Sequence, residues 1–131
     1  MAEIIKTWPG FMTPETVRRV FRRRWDGHYY FTLGRGKPQQ SVTRIWMTHQ
    51  GVIVGSFAVH EIVQNNGTNI PKLRSLDGSE SDWQIKRDAW VAICTPPCTF
   101  LQETIYFESF RGWRYFELDK YRNTAAAKML I

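Results

Sequence analysis

The chain has 131 residues, 43% of them hydrophobic and 15% aromatic, and a formal net charge of +6. This apolar content excludes a disordered chain, and the length suits a single domain over residues 1–131 that buries one core without disulfides or metal. No apolar run reaches the roughly 20 residues of a membrane span, and the first residues lack a signal-peptide pattern, so we expect a cytoplasmic protein without membrane contact.

The positive charge is concentrated near the amino terminus. Residues 1–44 contain nine Lys and Arg against three Asp and Glu, a difference of six, whereas the remainder contains nine of each. Twelve of the 18 basic residues are Arg, whose planar guanidinium suits phosphate oxygens and stacks on bases. This placement predicts a surface that binds nucleic acid. The alternative is a solvated basic surface that only aids solubility.

The first predicted element is a helix over 14–25. Thr13 caps its start, Pro14 suits the first helical position, and Glu15 lies near the positive end of the helix dipole. Apolar residues recur at helical spacing on one side, and four arginines lie away from that stripe: Arg18, Arg19, Arg22 and Arg23. Like charges at this spacing repel by about 0.2–0.5 kcal/mol per pair, and a polyanionic partner would convert that repulsion into affinity.

Strands are predicted next. A β-prone aromatic run over 28–33 precedes the basic loop 34–38, which contains Arg35 and Lys37. The clearest strands are 43–49 and 52–63, joined at Gln50-Gly51 as a tight hairpin. The second strand begins apolar at nearly every position, which predicts a central strand covered on both faces.

The second half of the chain starts with a long polar loop over 64–82, interpreted as a mobile flap or a segment with short helical structure. A strand over 89–94 is predicted to end at Thr95-Pro96-Pro97, and strands over 106–110 and 113–118 are predicted to form a second hairpin at Arg111-Gly112. A helix from about 120 to 129, capped by Asp119, closes the chain. These elements predict an α+β domain: a small, curved, mostly antiparallel β-barrel with an N-terminal helix and a C-terminal helix at its rim.

Two segments resemble a known superfamily. The run 36–38 followed by 44–55, which ends in Gly51-Val52-Ile53-Val54-Gly55, is similar to the core of PUA-like β-barrel domains, the superfamily of the ASCH and EVE groups. The aromatic segment 110–116 resembles their last hairpin. The resemblance implies a barrel with a surface cleft for RNA or a modified base. The ASCH signature has a Glu three positions after its Lys, where this chain has Gln40, so the resemblance does not extend to ASCH hydrolytic chemistry.

The predicted function is therefore binding of RNA or of DNA, including modified-base DNA, with no cofactor and no catalytic residue. Basic residues of the helix and of the loop region would contact phosphates, and tryptophans would stack on bases, a contact worth about 1–3 kcal/mol per base. The predicted binding residues are Arg18, Arg19, Arg22, Arg23, Arg35, Lys37, Arg44, Trp46, Trp90, Trp113 and Arg114. Arg114 is predicted to point outward, because it alternates with Trp113 and Tyr115 along its strand. The competing interpretation of each aromatic residue is a place in the core.

Two other functions remain open from the sequence. One is a hydrolase or nuclease on the same scaffold, in which Lys37, Thr43 and a carboxylate such as Glu61 or Glu103 converge. The other is a protein-interaction module, such as a small inhibitor or adaptor, that uses the long polar loop.

Metal and thiol chemistry has little support in the sequence. His28, His49 and His60 are widely spaced and join no cluster of metal ligands, so no metal site is predicted. Cys94 and Cys98 either pair or are inert core thiols, and their spacing fits a reducing compartment.

Overall fold

The computed structural model describes residues 2–7, 29–69, 87–108 and 110–129, with the backbone alone for 96–98 and 124–129. These residues form mostly strands, in a mixed sheet curled into a half-barrel, together with one helix. The strands are β1 (Ala2–Thr7), β2 (Tyr29–Gly34), β3 (Val42–His49), β4 (Val52–Gln64), β5 (Trp90–Phe100) and β6 (Trp113–Tyr115), and the helix is α1 (Leu118–Met129). The curved β architecture agrees with the prediction. The predicted helix over 14–25 lies outside the described residues.

The sheet has the strand order β2-β5-β4-β3-β1-β6. Its pairings are antiparallel except that of β1 with β3, which is parallel. The sequence prediction contained no strand at 2–7, yet β1 lies between β3 and β6. The chain therefore brings its first described residues against a strand that begins at residue 42.

The hairpin of β3 and β4 confirms the sequence prediction. Gln50 and Gly51 have φ angles of 51° and 82°, as a two-residue turn matched to the twist of its strands requires. The prediction that β4 is central is also confirmed, because β3 pairs with one edge and β5 with the other. Ile53 and Phe57, 2% and 0% exposed, belong to two different core clusters, so the strand is covered on both faces.

The predicted end of β5 at residue 94 was wrong. Phe57 pairs with Cys98 and Ala58 pairs with Thr95, so Pro96 and Pro97 have no partner on β4. Proline lacks the N–H that a sheet ladder needs, but a bulge tolerates it. The two prolines therefore interrupt the pairing without ending the strand, which continues to Phe100.

The predicted second hairpin was also wrong. β6 pairs with β1, with Ile4 opposite Tyr115 and Lys6 opposite Trp113. Residues 101–107 instead run beside the start of β4, where backbone hydrogen bonds join Ile53 N to Ile105 O and Phe107 N to Gly51 O. Residues 113–115 therefore pair with the edge of β1 and not with the preceding segment that the prediction gave as their partner.

The hydrophobic core lies on both faces of the curled sheet. The concave-face cluster draws residues from every strand, including the fully buried Ile4, Met47 and Phe57, and only a concave surface brings the side chains of all six strands together. The convex-face cluster contains Ile5, Trp46, Phe116 and Leu118, with Tyr121 of α1 packed against it. The helix therefore covers the outside of the half-barrel, and it confirms the predicted C-terminal helix to within two residues at its start.

Candidate nucleic-acid interface

The loop between β2 and β3, residues 35–41, carries two cations, and we call it the Gly-Lys loop. Arg35 and Lys37 are exposed, and neither forms an ion pair with the described residues. Gly34 enters the loop with a φ angle of 79°, a conformation that glycine adopts without strain. Pro38 is buried and anchors the middle of the loop. Two positive charges that no described carboxylate neutralises are thus held at a defined place on the surface.

One end of the loop lies against a tryptophan of β5. The Lys37 ammonium is 5.1 Å from the centroid of the Trp90 ring, a cation–π distance. Trp90 is half-buried and packs against the concave-face cluster. Such a contact at an exposed site contributes about 0.5–1 kcal/mol, enough to bias where the lysine lies but not to hold it away from a phosphate.

The other end of the loop is joined to β6. The backbone N–H of Gln40 donates a hydrogen bond of 3.2 Å to the hydroxyl of Tyr115. Tyr115 is 45% exposed, and its ring lies 5.3 Å from that of Trp113, edge to face. The loop therefore links Trp90, at one side of the half-barrel, with the aromatic pair at the other.

Lys6 lies on the same concave face. Ile4 belongs to the concave-face cluster and Ile5 to the convex-face cluster, so alternation along β1 returns Lys6 to the concave side. Its ladder partners are Met47 on β3 and Trp113 on β6. Burial lowers the pKa of the Lys6 ammonium below its usual range, because the charged form loses hydration.

The concave strip consists of Lys6, Trp113, Tyr115, the Gly-Lys loop and Trp90, and it combines cations with aromatic rings. Four of its residues, Arg35, Lys37, Trp90 and Trp113, are among the binding residues that the sequence predicts. The sequence prediction did not include Lys6 or the contact at Gln40. A signal for Lys6 is present, since it is the polar residue directly after the apolar pair Ile4-Ile5, but only the pairing of β1 shows which residues share its face.

Trp46 and Arg44 lie on the convex face. Trp46 is 7% exposed and packs edge to face on Phe116 at 6.4 Å. Arg44 is half-buried, donates a hydrogen bond of 2.6 Å to the buried Ser56 hydroxyl and lies 3.5 Å from a Glu3 carboxylate oxygen. The structure therefore does not bring Trp46 and Arg44 to the concave strip, and it places Trp46 in the core.

Arg114 is exposed, as its alternation with Trp113 and Tyr115 predicts. Its guanidinium carbon lies 4.2 Å from the centroid of the Phe110 ring, within the convex-face surroundings. It therefore stands apart from Trp113, its neighbour in sequence. The remaining predicted phosphate contacts, Arg18, Arg19, Arg22 and Arg23, lie outside the described residues.

The carboxylates of the enzyme hypothesis do not converge on Lys37. Glu103 pairs with Arg122 of α1, beside the start of β4, whereas Trp90 and Lys37 lie at its far end. The strand has 13 residues, so the two places are roughly 40 Å apart along it. Glu61 is adjacent to Ile62, which packs in the concave-face cluster, so Glu61 points to the other face. Thr43 donates a hydrogen bond of 3.4 Å to the Ala2 carbonyl.

The described part of the polar loop is a compact turn. Asn66 Oδ1 accepts hydrogen bonds from the backbone N–H groups of Thr68 and Asn69 at 2.9 Å and 3.0 Å. Asn65 is buried, and its backbone exchanges hydrogen bonds with Ala89 and Asp88, which closes the loop at its base. Residues 70–86 of the loop lie outside the described part.

Metal and thiol chemistry can be checked over the described ranges. No group of three or more His, Cys, Asp or Glu residues there is placed to hold a metal ion. Cys94 is fully buried in the concave-face cluster, as the core interpretation predicted for it, whereas the side chain of Cys98 lies outside the described residues. No described helix is long and apolar enough to cross a membrane.

No family model, curated protein or solved structure matches the chain. The functional interpretation therefore rests on the concave strip itself.

Proposed function

We propose that this chain binds single-stranded nucleic acid along the concave strip. One observation carries the proposal: the Gly-Lys loop joins a cation–π pair on β5 to an aromatic pair on β6. Bases stack on Trp90, Trp113 and Tyr115, and the cations of the loop contact the phosphates between them. This combination of ring faces and cations is how proteins hold single strands without reading every base.

A single strand suits the strip better than a duplex. The aromatic rings are half-buried or edge-to-face within a curved surface, so a base must leave its stack to reach them. Duplex backbone phosphates reach the exposed Arg35 and Lys37 but leave Trp113 uncovered. We therefore expect single strands to bind more tightly than duplexes of the same sequence. The comparison is made once with RNA and once with DNA.

We also propose that the half-barrel is a PUA-like domain. The order of the basic loop, β3, the tight turn and β4 supports this assignment, since the resemblance was carried by these segments. The strip is then the cleft that the resemblance implies, although its cations are Lys6, Arg35 and Lys37 rather than Arg44.

The test is fluorescence anisotropy with labelled single strands of about 12 nucleotides, a length within the usual site sizes. Affinity should fall between about 50 mM and 200 mM salt, because each neutralised phosphate releases counter-ions. The double substitution Arg35→Ala and Lys37→Ala should reduce the slope of log K against log salt by about 1.4, since each phosphate contact contributes about 0.7 for single strands.

Lys120→Ala is the matched control for Lys37→Ala. Lys120 is also exposed, but it lies on α1 and pairs with Glu117 at 3.4 Å. If the two lysine variants lose affinity equally, binding follows overall charge and the proposed interface is wrong. No detectable binding of any single strand at about 50 mM salt, where electrostatic binding is strong, would exclude the function altogether.

A further inference from the structure

Lys6 is a cation on the concave face. Among the described residues no carboxylate pairs with it, and the nearest acid along β1, Glu3, binds Arg44 on the convex face. Lys6 stands opposite Met47, which is fully buried, and opposite Trp113, which is half-buried. An ammonium in such surroundings loses hydration, and no described carboxylate compensates for that loss, so its position destabilises the unliganded fold.

An anion at this place would reverse that penalty. The attraction between opposite charges strengthens as water is excluded, and a charge-assisted hydrogen bond is about twice as strong as a neutral one. A half-buried cation that no described carboxylate neutralises favours a ligand of opposite charge.

The neighbours of Lys6 indicate what else the ligand carries. Trp113 and Lys6 are directly opposite in an antiparallel pair, which places their Cβ atoms about 4.5–5.5 Å apart. Tyr115 extends the aromatic surface, with its ring at 86° to that of Trp113. A flat group with an anion beside it matches this arrangement, and a phosphorylated nucleotide contains both.

We propose that Lys6 binds the terminal phosphate of a single strand whose last base stacks at Trp113, an inference that rests on the proposed function. An internal phosphodiester carries one charge and is flanked by chain on both sides, whereas a terminal phosphomonoester carries nearly two charges at neutral pH and enters end-on. Because Lys6 is half-buried, a terminal phosphate that enters end-on reaches it more readily than an internal phosphodiester. The exposed Arg35 and Lys37 then contact internal phosphates of the same strand.

The experiment compares one single-stranded oligonucleotide with a 5′-phosphate, with a 3′-phosphate and with hydroxyl groups at both ends. For the native chain we expect one phosphorylated form to bind roughly tenfold more tightly or better, because a hydrogen bond to a charged group is stronger than one between neutral groups. Lys6→Met should lower the affinity for the preferred phosphorylated form much more than that for the hydroxyl form and so remove the preference, and Lys6→Arg should keep most of it. Lys120→Met is the control and should retain the full preference.

A second measurement on the native chain does not depend on the folding of any variant. Acylation of Lys6, followed by mass spectrometry, should be slowed by the preferred phosphorylated strand and not by the hydroxyl form at equal occupancy. Equal affinity for all three strands, or a preference that survives Lys6→Met, overturns the inference while the proposed function stands.

A further comparison covers the case in which the proposed function itself fails. If no strand binds, a nucleoside 5′-monophosphate and its nucleoside are compared by tryptophan fluorescence. A preference for the monophosphate that requires Lys6 then supports the phosphate contact of Lys6, whereas the strand that the proposal names is overturned together with the proposed function. No preference overturns both.

Discussion

The ammonium of Lys37 lies 5.1 Å from the centroid of the Trp90 ring, although 53 positions separate the two residues along the chain. The pairing of β2 with β5, which places Gly34 opposite Trp90, brings the start of the Gly-Lys loop to this ring. The contact thus depends on the sheet and is the starting point for the first prediction.

Replacing Trp90 by Ala should weaken binding of single strands about 5- to 150-fold, since stacking of a base on an aromatic ring contributes about 1–3 kcal/mol. Trp90→Phe should lose less, because a smaller ring face remains. Anisotropy titrations at fixed salt measure both. Tyr106→Ala is the control, because Tyr106 is 74% exposed and lies beside the opposite end of β4. Equal losses for Trp90→Ala and Tyr106→Ala would contradict the stacking role.

Replacing Tyr115 by Phe should release the Gly-Lys loop without disturbing the core. The variant lacks the hydroxyl that accepts the Gln40 N–H, a hydrogen bond at an exposed site that contributes about 0.5–1.5 kcal/mol. Hydrogen exchange at the Gln40 amide should become several-fold faster, as measured by NMR, with little change in the melting temperature. Tyr106→Phe should leave that exchange rate unchanged, and unaltered exchange in Tyr115→Phe would show that the bond does not hold the loop in solution.

Replacing Lys6 by Met should stabilise the unliganded protein near neutral pH. The pKa of Lys6 is lower in the folded than in the unfolded chain, so the unfolded chain binds the proton more tightly. The penalty is fully present below the folded pKa and disappears as the pH rises from that value to the unfolded value of 10.5. The advantage of Lys6→Met in the free energy of unfolding should therefore shrink as the pH approaches 10.5.

Urea denaturation over this pH range measures the effect, with Lys120→Met as the control. The comparison with the native chain at each pH cancels the contribution of Tyr30, whose pKa is raised by burial. A destabilised Lys6→Met variant would mean that Lys6 has a stabilising partner.

Replacing Gln50 by Asn should stabilise the β3–β4 hairpin. Gln50 has a φ angle of 51°, in the left-handed region where a long side chain is disfavoured, whereas Asn followed by Gly is the preferred pair for this turn. We expect a gain of about 0.5–1 kcal/mol in the free energy of unfolding, measured by urea denaturation. Gln39→Asn, in an exposed loop position without a positive φ, is the matched control and should change little.

The hairpin of β3 and β4 could be predicted because its information is local. The turn residues and the apolar run after them are contiguous, and neither depends on the rest of the fold. The same holds for the C-terminal helix and for the basic loop between strands. Alternation correctly separated Trp113 and Tyr115 from Arg114, since it follows from strand geometry alone.

The composition of the concave strip was decided by pairings between distant segments. No local signal indicates that β1 inserts beside β3, because a parallel pair has no connecting turn, or that β6 chooses β1 over residues 106–110. These two pairings place Lys6 opposite Trp113 and put Tyr115 within reach of Gln40. The pairing of β6 with β1 also brings Phe116 against Trp46 on the convex face. Local sequence thus determines which residues are cations, rings and turns, whereas the curl and strand order of the sheet determine which of them share a face.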